Sequence, residues 1–275
     1  MQIWREHGLP LKMESLFVTV QGHRLEVQRM GGTDSNAPTI VFLHEGLGSI
    51  SLWRDFPAQI AQQTRCGAVV YSRYGHGNSD VLQEARNVRF MHDEALLVLP
   101  ELLEKLSIRD PVLIGHSDGG SIAIIHAGAG NPVRGLVLMA PHVFGEEWGL
   151  KSIAEAKVAF ETSDLPRKLG KHHLDAAKTF WGWNNVWLLP EFRSWNIEQY
   201  LPGIKSPVLA IQGFEDQYGT MAQLDAITAK AGGPVETLKL RDCRHSPHRD
   251  QLAAVLEAIS RFLSTVQRDD RGEVL

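Results

Sequence analysis

A chain of 275 residues, 43% hydrophobic and 22% charged, can bury one sizeable core and exceeds an average domain by about one insertion. Its formal charge of −4 excludes the strongly basic surface of a nucleic-acid or anionic-membrane binder. No apolar run reaches the ~18–20 residues of a bilayer span, the opening MQIWREHGLPLKMES lacks a secretory apolar segment, and two cysteines, Cys66 and Cys243, make no disulfide framework, so the expectation is cytoplasmic.

In chain order, residues 16–30 (LFVTVQGHRLEVQRM) alternate apolar and polar side chains around Gln21-Gly22, the pattern of a β-hairpin. Short, nearly all-apolar runs follow at 39–43 (TIVFL), 67–71 (GAVVY), 111–115 (PVLIG), 135–139 (GLVLM) and 207–212 (PVLAIQ). Strands apolar on both faces belong in a parallel sheet covered by helices on both sides. Helical stretches fall between them, near 53–64, 91–107, 119–129 and 250–265. The alternation predicts an α/β protein with right-handed crossovers and one doubly wound, mostly parallel sheet. Between Met139 and Pro207 it stops, and short helices are expected instead, for example over 150–162, 172–181 and 191–199. Five of the seven tryptophans lie there, Trp148, Trp181, Trp183, Trp187 and Trp195. The chain thus divides into a core of 1–140 and 204–275 and a helical insertion of 141–203, expected as a cap over the strand ends. No internal repeat or low-complexity tract is present, and the tail QRDDRGEVL is expected to be loosely ordered.

The sequence Gly115-His116-Ser117-Asp118-Gly119 is G-x-S-x-G between a predicted strand and a predicted helix. A strand turning sharply into a helix strains its turn residue, and glycines two positions either side remove side chains that would collide with the returning chain. The hydroxyl is then exposed at a helix N-terminus, where a backbone N–H can stabilise developing negative charge.

With these partners in order, the sequence resembles the α/β-hydrolase superfamily, specifically its serine hydrolases with a helical cap, over about residues 16–265. The resemblance implies the chain order nucleophile, acid, histidine. The acid falls in Gln212-Gly213-Phe214-Glu215-Asp216, with Asp216 as candidate and Glu215 one residue earlier as fallback. The histidine falls in Arg244-His245-Ser246-Pro247-His248, after the expected strand 236–243; His245 matches the family position and His248 competes. Arg244 stands where the family usually has glycine. In these roles Ser117 attacks, His245 takes and returns its proton, and Asp216 fixes the imidazole tautomer.

The third landmark is His44-Glu45-Gly46-Leu47-Gly48-Ser49, after TIVFL. The family commonly has His-Gly here; this chain has glutamate in place of the first glycine. The implied oxyanion donors are the N–H of Asp118 with that of Gly46 or Leu47. Glu45 and Asp118 pose a problem, because carboxylates there oppose the charge the hole must stabilise. Structurally, Asp118 would turn to the start of its own helix and Glu45 to Arg54, Arg73 or a backbone amide. Functionally, one of them would polarise water or recognise a cationic part of the substrate.

Ser72-Arg73-Tyr74-Gly75-His76-Gly77-Asn78-Ser79 matches a further turn of the family, an architectural one. His172-His173 with Asp175 suggest no metal site, since neighbours on a helix point about 100° apart. Trp181, Trp183 and Trp187 either line a pocket or dock small helices. No phosphate loop is present, and neither metal nor cofactor is implied. A serine nucleophile argues against dehalogenase and epoxide hydrolase chemistry, leaving carboxylic ester hydrolysis as the preferred expectation. The alternatives are a carbon–carbon hydrolase or enol-lactonase of aromatic catabolism, with Arg54, Lys151 or Arg193 for a substrate carboxylate, then a thioesterase, then a non-turnover receptor. The expected partner is a small-molecule substrate, for a monomer or homodimer.

Overall fold

The computed structural model describes residues 12–32 and 37–268, so the opening stretch and residues 269–275 of the tail lie outside the described residues. The strands are β1 (Met13–Val20), β2 (His23–Met30), β3 (Ile40–Leu43), β4 (Ala68–Tyr71), β5 (Val112–His116), β6 (Gly135–Met139), β7 (Val208–Gly213) and β8 (Val235–Leu240). The main helices are α1 (Phe56–Thr64), α2 (Leu99–Lys105), α3 (Asp118–Gly128), α4 (Glu147–Thr162), α5 (Ala176–Trp187), α6 (Ala222–Lys230) and α7 (Leu252–Arg268).

Gln21 and Gly22 join β1 to β2 with φ of 49° and 80°, the left-handed pair that a two-residue hairpin turn requires. The eight strands form one sheet in the order β1-β2-β4-β3-β5-β6-β7-β8. The hairpin pairs antiparallel with itself and with β4, and every other pairing is parallel. This is the α/β-hydrolase fold. Because successive strand residues point to opposite faces, the buried strands feed two cores. Ile40, Phe42, Ile114 and Ile211 pack with α1 and α7. Val41, Leu43, Leu113 and Ala210 pack with α2, α3 and α6.

The second core continues into the insertion through Phe160, Phe180, Trp183 and Trp187. There Phe160 of α4 and Phe180 of α5 stack at 3.9 Å, 8° from parallel. Its helices differ from those expected. The one placed at 172–181 begins at Ala176, because the Asp175 side chain accepts the Lys178 N–H at 2.9 Å and caps it. The one placed at 191–199 splits into two short turns, Pro190–Ser194 and Glu198–Gly203, because Asn196 pairs with Phe144 in an isolated bridge between them. Among the described residues no helix is long and apolar enough to cross a membrane. The parallel strands all end on one side of the sheet, so the loops after β3, β4, β5, β6, β7 and β8 gather there, where open α/β sheets place their ligand crevices.

Candidate active site

Ser117 sits between β5 and α3 with φ 53° and ψ −118°, a strained conformation for a residue with a side chain. The glycines make the turn possible. A Cβ on Gly115 would lie 2.3 Å from the Gly119 carbonyl oxygen, and one on Gly119 would lie 2.0 Å from that of Leu43.

His245, in the loop after β8, has Nε2 2.9 Å from the Ser117 Oγ and Nδ1 2.8 Å from Asp216 Oδ1. Asp216, after β7, is buried and accepts further hydrogen bonds from the Tyr218 N–H and the Gln212 side-chain amide, each at 2.8 Å. Burial raises its carboxyl pKa, but the His245 imidazole and the Tyr218 N–H outweigh burial and hold it below the usual value. Its anionic charge fixes the His245 proton on Nδ1 and leaves Nε2 to accept from serine. Glu215 is directed elsewhere, accepting the Cys243 N–H at 3.0 Å. His248 packs its ring against Trp53, Phe56 and His116, away from the serine.

The loop after β3 is pinned through the Glu45 carbonyl, which accepts from His44 Nδ1 (2.7 Å), the Arg73 guanidinium (2.9 Å) and the Gly48 N–H (3.0 Å). A trans peptide points its N–H opposite its C=O. With the carbonyl drawn down onto Arg73, the Gly46 N–H is turned the other way. Leu47 is held by its own carbonyl, which accepts from His173 Nε2 at 3.0 Å. Gly46, Leu47, Ser117, Asp118 and His245 line one cavity of about 190 Å³.

The two carboxylates do not take the directions expected from the sequence. Asp118 leaves the start of α3 uncapped: its Oδ1 accepts the Trp187 indole N–H at 3.2 Å, and its Oδ2 lies 3.8 Å from the Arg73 guanidinium. Burial pushes its pKa up, opposed by Arg73. Glu45 lines the cavity, and Arg73 bonds its carbonyl rather than its carboxylate. Trp183 and Trp187 line the cavity too, whereas Trp181 packs edge-on to Phe160 and Phe180 under the Lys157 ammonium, outside it. Arg54, Lys151 and Arg193 are absent from the lining, and Arg193 pairs at the surface with Glu147.

Four further residues shape the site, and two of them, His142 and His173, belong to no family motif. His142, beyond the end of β6, places Nε2 3.5 Å from the Ser117 Oγ, its ring 29° from parallel to His245. Burial, then the neighbouring His245, pushes its pKa down to about 3, so it faces the nucleophile neutral. His173 lies in the turn before α5, not on a helix. The Gly77 N–H donates to its Nδ1 at 3.0 Å, so Nε2 carries the proton given to Leu47. One imidazole thereby ties the insertion to the loops after β3 and β4. Arg73, fully buried, holds the Glu45 carbonyl and balances Asp118, while His76 receives the Arg86 guanidinium at 2.9 Å.

A sequence profile described as the Alpha/beta hydrolase family matches residues 40–258. Among solved structures, the chain is similar to MGS-M2, an alpha/beta hydrolase enzyme from a Medee basin deep-sea metagenome library (20% identity, TM-score 0.74, covering 90% of this chain and 97% of that one). It is also similar to the enol-lactonase from Burkholderia xenovorans LB400 (20%, 0.70, 90% and 100%) and to naproxen esterase from Bacillus subtilis (17%, 0.71, 92% and 92%). None of the curated proteins matches the chain in sequence.

Proposed function

This chain belongs to the alpha/beta hydrolase family, a family of hydrolytic enzymes, and from that premise we propose that it cleaves a carboxylic ester of a small molecule through an acyl-enzyme. His245 Nε2 takes the Ser117 proton as Oγ attacks the ester carbonyl carbon. The carbonyl oxygen becomes an oxyanion held by the Asp118 and Gly46 N–H groups, the latter chosen by the direction in which the Glu45 carbonyl is pinned. Protonated His245 then gives its proton to the departing alcohol. Water, deprotonated by the same imidazole, releases the acid and restores Ser117. Asp216 keeps the imidazole in the required tautomer and stabilises its charged form. The insertion serves as a cap, with Trp183 and Trp187 as the apolar wall against the substrate.

The observation that carries this reading is the continuous relay Ser117–His245–Asp216, at 2.9 and 2.8 Å, opening into a lined cavity. The esterase and lactonase among the structural neighbours support it at the level of reaction type. An enol-lactonase or carbon–carbon hydrolase acting on a carboxylate substrate would want a cation in the cavity, and among the described residues no lysine or arginine lines it. The test is release of p-nitrophenol from acetate, butyrate and octanoate esters by wild type and Ser117→Ala. Turnover of the short esters, lost in the variant, is expected from a cavity this small. Equal rates for the two proteins would remove Ser117 as nucleophile.

A further inference from the structure

Ester cleavage makes no use of the Glu45 carboxylate, yet the loop is built around it. A Cβ on Gly48 would lie 2.0 Å from Glu45 Oε2, so the glycine at 48 leaves open the volume that this carboxylate fills. Gly46 does the same for the cavity wall, since a Cβ there would lie 2.2 Å from the Trp183 indole nitrogen. The loop is thus packed against its own carboxylate at Gly48 and against an indole at Gly46, and Glu45 and Trp183 line the same cavity. Among the described residues the Glu45 carboxylate takes part in no hydrogen bond or ion pair. The nearby cation, Arg73, is spent on the Glu45 carbonyl and on Asp118. His116 beside it is neutral, since burial, then His245, pushes its pKa down to about 4. The Glu45 carboxylate is therefore without a directly paired cation among the described residues.

That charge acts against catalysis on a neutral ester, because it opposes the oxyanion that the adjacent Gly46 N–H must stabilise. An organic cation seated against Glu45 removes the opposition and adds its own attraction to the oxyanion. The remaining walls suit such a cation: Trp183, Trp187 and Tyr218 line the cavity, and aromatic faces attract ammonium groups. We propose that Glu45 is the recognition group for an ammonium-bearing substrate, so that the ester cleaved carries a positively charged nitrogen close to its carbonyl. This rests on the reading of Ser117 as an ester-cleaving nucleophile.

Two isosteric pairs test it, one for each side of the scissile bond: butyrylcholine against 3,3-dimethylbutyl butyrate, and the phenyl ester of trimethylammonioacetate against phenyl 3,3-dimethylbutanoate. Each rate is divided by that of hydroxide with the same ester, to remove intrinsic reactivity. In wild type kcat/KM should favour the cationic member of at least one pair by about tenfold or more. In Glu45→Gln, which keeps the shape and removes the charge, the ratio should fall toward parity as the neutral ester gains. Binding of the same esters to Ser117→Ala and to Ser117→Ala/Glu45→Gln, read by tryptophan fluorescence, separates the two readings. Glu45-dependent preference for the cation without turnover in wild type would retain the cation site and remove the ester reading. Turnover without cation preference, or a preference unchanged in Glu45→Gln, would overturn the role of Glu45. Neither turnover nor selective binding would overturn both.

Discussion

Gly46 shows how much of this site depends on one absent side chain. Its N–H stays turned away from Arg73 only while the Glu45 carbonyl is held there and on His44, and an indole occupies the place where a Cβ would lie, 2.2 Å from its nitrogen. Replacing it by alanine leaves two responses, movement of Trp183 or movement of the peptide. The peptide is the costlier to lose, because removing one oxyanion donor lowers kcat by about 10²–10³. Gly46→Ala should therefore lose most of its ester turnover while a thermal melt changes little. Adding Trp183→Ala, which opens the space, should recover part of kcat. No recovery in the double variant, with folding intact, would place the oxyanion donor at Leu47 instead. Gly115 and Gly119 face backbone rather than a side chain, so no second substitution could relieve an alanine there.

At the scale of elements, the insertion is held to the sheet by the shared core and by specific polar contacts. The start of α4 approaches the loop after β7 so closely that a Cβ on Gly149 would lie 2.2 Å from the Tyr218 carbonyl oxygen. This approach lets the Trp148 indole donate to the Asp216 carbonyl at 3.1 Å and Ser152 donate to that of Gln217 at 2.6 Å. In an isolated helix alanine would be favoured over glycine by about 1 kcal/mol. Here the collision is with backbone, so α4 must retreat and the loop carrying Asp216 loses its outer support. Gly149→Ala should cut kcat/KM by roughly ten- to a hundredfold, as sub-ångström misplacement of catalytic groups does, with no gain in melting temperature. A higher melting temperature with unchanged kcat/KM would show that the approach has slack. Such contacts set the limit of what the sequence reveals. The inner strands were legible because residues buried on both faces leave continuous apolar runs, Ser117 and Asp216 because each follows such a run, and His245 because it follows the last expected strand in a set order. Glu45 was legible as a departure from the expected glycine. His142 and His173 were not, since their partners, Ser117, Gly77 and Leu47, come from distant segments and no local pattern announces them. The start of α5 was misplaced because His172 and His173 fit a helical reading that the Asp175 cap overrides.

Over the whole molecule, the site and its supports bury an unusual number of neutral imidazoles. Burial first, then neighbouring charges, lowers the pKa of His116 to about 4 and that of His142 to about 3. Burial, with adjacent His172, lowers that of His173 to about 4 despite its bond to Leu47. His44, His76 and His248 are held well below their ordinary value, again chiefly by burial. In the unfolded chain each would titrate near 6.5. Above that pH both states are neutral and these groups contribute nothing to the pH dependence. Below it the unfolded chain binds protons that the folded chain refuses, so stability falls as pH drops from about 6.5 toward about 4. Asp216, held below its ordinary value, adds stability that is lost only at still lower pH, so the histidines govern the upper window. Urea unfolding at pH 7.5, 5.5 and 4.5 should show a midpoint that falls steadily below pH 6.5, its pH slope reporting uptake of several protons. A midpoint flat from 7.5 to 4.5 would mean that these imidazoles reach water or find anionic partners when charged. The same measurement separates two causes of acid inactivation. A purely chemical loss of turnover appears at once and reverses on return to neutral pH with the fold intact. Loss driven by the buried imidazoles follows unfolding and proceeds at the rate at which far-ultraviolet circular dichroism decays, and the same decay should be seen in Ser117→Ala.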